Sequence, residues 1–138
     1  YLLKANASEQ KRIAHVMVDK SNYESVADAQ EKIDNVQISL SPFDFKNPVN
    51  FEENDYIKAV LGESWDVVII DGQDETFKQR LACFHLVEPL MKDGSIIIVD
   101  DFWRYEELIK STRAKSVEVF ESVGPCRIGV TSTACFFF

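Results

Sequence analysis

Two short apolar runs, residues 65–72 (WDVVIIDG) and 95–101 (SIIIVDD), do most to limit what this chain can fold into. Each is a string of Val and Ile too short to span a membrane and closed by acids. Such runs suit buried strands of a parallel sheet covered on both faces. In open sheets of that kind, ligands gather beyond the carboxyl ends of the strands. As neighbours, the two strands would carry Asp71, Asp100 and Asp101 into one crevice.

The remaining bulk properties narrow the class. At 138 residues, 46% of them apolar, the chain is long enough for one domain with a real core, and residues 1–138 are read as a single domain. Its net charge of -8, from 15 basic and 23 acidic residues, opposes binding to a phosphate backbone, so no nucleic-acid partner is expected. Cys83, Cys126 and Cys135 are odd in number and lack CxxC spacing, which fits a reducing compartment better than a disulfide framework or zinc knuckle. With no segment of membrane-span length and no leader pattern, a cytoplasmic protein without a membrane partner is expected.

Along the chain, strand and helix signals alternate. Residues 1–12 read as the tail of a helix, and 13–18 (IAHVMV) as a strand closing at Asp19. Tyr23, Val26, Ala27, Gln30 and Ile33 keep helical spacing, and 36–40 (VQISL) alternates like a strand that Ser41 and Pro42 stop. A short helix is expected over 55–61 after a loop, and an amphipathic one over 75–91. A further helix is expected over 105–115, then a hairpin of 116–123 and 127–138 about Gly124 and Pro125. Alternation of this kind predicts an α/β fold, a doubly wound and mostly parallel sheet with an antiparallel hairpin at its C-terminal end.

Four segments, HVMVDKSNY, NVQISLSPFDF, WDVVIIDG and EPLMKDGSIIIVDD, together with the terminal hairpin, resemble the class I methyltransferases that use S-adenosylmethionine. The resemblance implies a Rossmann-like seven-stranded sheet and methyl transfer to a small-molecule oxygen or nitrogen acceptor. It assigns Asp19 to the cofactor's ribose hydroxyls and Phe43 and Asp44 to the neighbourhood of its adenine. Asp71 falls where the family faces the methyl group and the substrate, as a catalytic and cofactor-binding residue, and Gly72 permits close approach there. The branch resembling metal-dependent O-methyltransferases further implies Mg2+ on Asp71, Asp100 and Asp101, with Asp101 standing where that branch has an amide.

One departure is large. All five glycines lie at Gly62 or beyond, so the family's first strand and its glycine-rich turn have no counterpart. The first strand is therefore expected to be absent, the domain shortened at its N-terminus and cofactor binding weak or lost. Three other readings stay open: a methyltransferase-shaped interaction module with a dead site, an aminopropyltransferase like spermidine synthase, and a phosphoryl-transfer domain using acids at strand ends. For the acids themselves, capping the helix that follows each strand is the competing role.

Overall fold

The computed structural model describes the backbone of residues 2–6, 11–19 and 36–43, and residues 58, 61, 64–72, 74, 79–123 and 129–138 with their side chains. Seven strands form one sheet: β1 (Leu2–Asn6), β2 (Lys11–Asp19), β3 (Val36–Phe43), β4 (Val67–Ile70), β5 (Ile96–Val99), β6 (Ser116–Val123) and β7 (Val130–Phe137). Their spatial order is β3-β2-β1-β4-β5-β7-β6. The expected helix of residues 23–33 lies outside the described residues, and of that at 55–61 only Lys58 and Leu61 are described.

The two runs that limit the fold are indeed neighbours. β4 and β5 pair in parallel from Val67 opposite Ile96 to Ile70 opposite Val99, and the ladder extends through Ile96 N–H to Asp66 O (2.9 Å) and Asp100 N–H to Ile70 O (3.1 Å). Val68, Ile70, Ile97 and Val99 are fully buried, while Val67, Ile69, Ile96 and Ile98 are half-buried. β-branched side chains stand well on a pleated surface, so composition and register agree.

The expectation for residues 1–12 is overturned. Leu2–Asn6 is a strand at the centre of the sheet, antiparallel to β2 on one side and to β4 on the other. The position between β2 and β4 is thus filled, but by a strand running backwards. The physical reason is the demand of its neighbours: without β1, two rows of backbone amides and carbonyls in mid-sheet would lack partners. β2, β3, β4, β5 and β6 share one direction, and β1 and β7 oppose it. Of the neighbouring pairs only β2–β3 and β4–β5 are parallel, so the sheet is mixed rather than mostly parallel. β3 also continues through Ser41 and Pro42 to Phe43, which the edge position of this strand permits because a proline there need not donate into a ladder.

Helix α1 (Gln79–Val87) follows β4 and ends in a 3-10 turn, Glu88–Leu90, where Pro89 has no amide to continue the α-helix. The helix expected over 105–115 is reduced to α2 (Leu108–Ser111), preceded by a 3-10 turn at Phe102–Arg104. Phe102, Tyr105 and Leu108 are all buried at a spacing of three, the 3-10 period, with Tyr105 N–H bonded to Phe102 O (2.8 Å) and Leu108 N–H to Tyr105 O (3.0 Å).

One face of the sheet carries the core. Phe136 of β7 packs edge-on against Phe84 of α1 (ring centres 4.7 Å apart) and Phe102 (5.8 Å). A buried carboxylate pins the next layer: Glu88 Oε1 accepts from Thr112 Oγ1 (2.5 Å) and Arg113 N–H (2.8 Å), and Arg113 Nη2 donates to the carbonyls of Glu88 and Met91 (2.6 and 2.5 Å). Cys83 lies in the same core, where burial pushes its thiol up to about 12. The hairpin of β6 and β7 pairs from Ser116 opposite Phe137 to Val123 opposite Val130. β6 is the sheet's other edge, and Glu118, Val119, Phe120 and Glu121 on it are exposed.

Candidate functional site

Asp71, Asp100 and Asp101 do come together, at the carboxyl ends of β4 and β5, and what they share is an arginine. Arg80, on the first turn of α1, reaches back to the strand ends with its side chain only 8% exposed. Its Nη2 lies 3.6 Å from Asp71 Oδ1 and 3.7 Å from Asp101 Oδ2, and its Nη1 lies 3.7 Å from Asp100 Oδ2. Two main-chain bonds fix the guanidinium: Nε donates to Gly72 O (2.7 Å) and Nη1 to Asp100 O (2.6 Å). The arginine therefore ties together the chain segments leaving the two parallel strands.

Asp74 anchors the base of this arrangement. Its Oδ2 accepts the Arg80 amide (3.2 Å) and the Tyr105 hydroxyl (2.7 Å). Burial, and then the hydrogen bond to Asp74, raise the Tyr105 hydroxyl above its ordinary range. Both Asp74 and Tyr105 are buried, so the pair satisfies polar atoms that would otherwise face the core unbonded.

Capping does not describe the acids after β5. Asp101 precedes the Phe102–Arg104 turn but makes no side-chain cap bond; Oδ1 instead accepts from Thr131 Oγ1 (3.1 Å) and Trp103 Nε1 (3.4 Å). Thr133 Oγ1 donates to Asp100 Oδ1 (3.2 Å). The backbone of Asp101 is left-handed, at φ 51° and ψ 37°, a conformation Asp tolerates better than most residues. Among the described residues it is the one non-glycine with positive φ.

Thr131 and Trp103 also line a groove of about 700 Å³ that opens beside Asp101, with Ile109, Val119, Val130 and Glu121 along its walls. Its volume falls within the range of small-molecule pockets. Trp103 stacks under the Arg104 guanidinium (4.9 Å), whereas Tyr105 is fully buried. His85 is exposed on α1, as a surface residue.

The residues expected on the cofactor side divide. Asp19 and Phe43 end β2 and β3 and are register partners at the same edge as Asp71. β1 separates β2 from β4, two strand spacings or roughly 10 Å. Asp44 lies outside the described residues. Because β1 runs backwards, Leu2 lies beside the end of β4, and the connection from Asn6 to Lys11 leaves from the opposite end of the sheet. Among the described residues, no turn following the central strand lies at the carboxyl ends of β2 and β4.

The Mg2+ expectation does not fit this arrangement. A hard divalent cation needs oxygens at about 2.0–2.6 Å around one centre, whereas these three carboxylates are disposed around a planar guanidinium. Among the described residues no cluster of three or more His, Cys, Asp or Glu side chains is set to hold a metal ion. Sequence reasoning overlooked Arg80 because a charged residue in an amphipathic helix reads as solvent-facing. The available signal was its phase: Arg80, Cys83, Phe84 and Val87 fall on one helical face, and all four are buried.

Comparison with known proteins agrees with the fold. The chain matches the O-methyltransferase from Bacillus cereus, whose structure is a complex with SAH, at a TM-score of 0.53 and 17% identity, over 89% of this chain and 60% of that one. A Klebsiella pneumoniae protein with a provisional O-methyltransferase assignment aligns at a TM-score of 0.48 and 15% identity, over 91% of this chain and 72% of that one. No family model and no curated protein matches the sequence. The likeness is one of fold, a Rossmann-like mixed α/β sheet, and this chain spans 60% of the length of the Bacillus cereus enzyme. None of the described helices is long and apolar enough to cross a membrane.

Proposed function

We propose that the chain serves methyl transfer from S-adenosylmethionine to an oxygen or nitrogen of a small molecule. The observation that carries this reading is the placement of the acids: Asp71, Asp100 and Asp101 stand at the carboxyl ends of β4 and β5, beside a groove of small-molecule size. The fold likeness supports it. The cofactor would lie over the ends of β1, β2 and β4, near Asp19, Phe43 and Gly72, and the acceptor in the groove next to Asp101.

The chemistry asks for positioning more than for covalent help. Bound there, S-adenosylmethionine would supply a sulfonium methyl for in-line displacement by the acceptor's lone pair, with S-adenosylhomocysteine as the leaving product and the acceptor's proton passing to a base. Asp71, its side chain 52% exposed, offers a carboxylate within reach of solvent and ligand that can take the acceptor's proton. Trp103, Ile109 and Val130 supply apolar surface for the acceptor to pack against.

A second reading rests on a specific observation. The reversed β1 directs its following turn away from the site end, which favours a methyltransferase-shaped interaction module. One pair of measurements decides between them: titration calorimetry with S-adenosylmethionine, and transfer of labelled methyl to a panel of small phenols and amines. Weak binding with measurable transfer supports the enzyme; neither binding nor transfer at millimolar cofactor supports the module.

A further inference from the structure

We propose that Arg80 is a built-in cation that takes the place a divalent metal would hold among the strand-end acids, so that the site is metal-independent. The geometry is that of a counter-ion shared by three anions. One guanidinium head lies 3.6–3.7 Å from carboxylate oxygens of Asp71, Asp100 and Asp101, which come from two different strand ends. A positive charge is already lodged where these acids converge, and a second cation would meet its repulsion at short range.

The arginine is also fixed there. Its bonds to Gly72 O (2.7 Å) and Asp100 O (2.6 Å) satisfy two main-chain carbonyls, and its amide is held by Asp74. Swinging the side chain out to admit a metal would break both carbonyl bonds and draw a buried stem into water. Arg suits the position better than Lys, because its planar fork gives several donors in fixed directions and stays charged at any working pH. Asp101 fits the same logic: a carboxylate at that position adds a full counter-charge for the guanidinium, which an amide cannot.

The consequence for chemistry is that the acceptor is not chelated. Its orientation must come from the groove and its proton must leave to Asp71 or to water. That consequence rests on the methyl-transfer reading, but the charge balance does not, and the test below reads cation binding without cofactor or turnover.

Thermal melting and titration calorimetry with Mg2+, Ca2+ and Mn2+, at constant ionic strength, examine the proposal. The wild-type chain should keep its melting temperature and bind none of them more tightly than millimolar. Arg80→Met should melt lower by about 5–15 °C and then recover part of that loss as Mg2+ or Ca2+ is added, while Na+ has no such effect. Arg80→Lys should fold and stay indifferent to divalent ions. A wild-type chain that binds Mg2+ at micromolar concentration, with loss of binding in Asp101→Asn, would overturn the idea. So would a folded Arg80→Met that ignores divalent ions, since a merely structural arginine predicts that result. If Arg80→Met does not fold, the responses of wild type and Arg80→Lys decide the question alone.

Discussion

The two halves of the sheet are built on different principles. In β4 and β5 the strands are apolar in their own right, and Val68, Ile97 and Val99, with Phe136 of β7, are wholly buried against α1 and the turns after β5. In β1, β2 and β3 the centre is held by a five-residue strand that runs against both neighbours. The first half is dictated locally, by β-branched runs whose only good solution is a buried strand. The second is dictated by what lies beside it, because open backbone edges recruit whatever segment can complete the ladder. The acids around Arg80 sit on the first half, and in the proposed reading the cofactor would lie against the second.

That contrast can be broken most forcefully at Phe136. Phe136→Ala should lower stability by about 3–5 kcal/mol, since two aromatic partners lose their contact, and urea denaturation should show it. A loss below 1 kcal/mol would mean that the β7 side is not the core. A proline in β1 attacks the other half: Leu3→Pro removes a central amide and should cost about 3 kcal/mol. Hydrogen exchange should then speed up in β1, β2 and β3 while β5 and β7 keep their protection. Equal loss in both halves would show a single cooperative unit instead.

Tyr105 sharpens the comparison within the first half. Its hydroxyl ionises near pH 10 in an unfolded chain and higher in the folded one, so its contribution is intact below pH 10 and is lost as pH rises above it. Tyr105→Phe should cost about 1–2 kcal/mol at neutral pH, by removing a donor from Asp74, and should flatten the alkaline fall in stability. A pH scan of melting temperature for the two proteins reads both effects. The smallest change is expected at the rim, where Lys115 Nζ and Asp93 Oδ1 are 2.8 Å apart but exposed. Lys115→Met should leave the melting temperature unchanged in moderate salt, because water and ions screen such a pair.

What could be read from sequence follows the same division. Residues 65–72 and 95–101 carry their own instructions, and placing Asp71, Asp100 and Asp101 together needed only the polarity of parallel strands. Residues 2–6 (LLKAN) have no such signature; their role exists only because β2 and β4 flank them. Arg80 was hidden for a third reason. A helix pattern shows which residues are apolar, but a charge on the buried face becomes intelligible only when its counter-charges, 9 to 21 residues away, are placed beside it.

The hairpin has one practical meaning beyond architecture. Among the described residues β6 is the sheet's outer edge, with the outward backbone groups of alternate residues unpaired by any strand and Val119 and Phe120 exposed upon it. Such an edge is a template for another strand, and charge is the usual deterrent. Here the deterrent is Glu118 and Glu121, both exposed, so colloidal behaviour is tied to ionic strength. At low salt the edge repels its own copies. As salt is added, that repulsion is screened and edge-to-edge stacking, visible as turbidity, takes over.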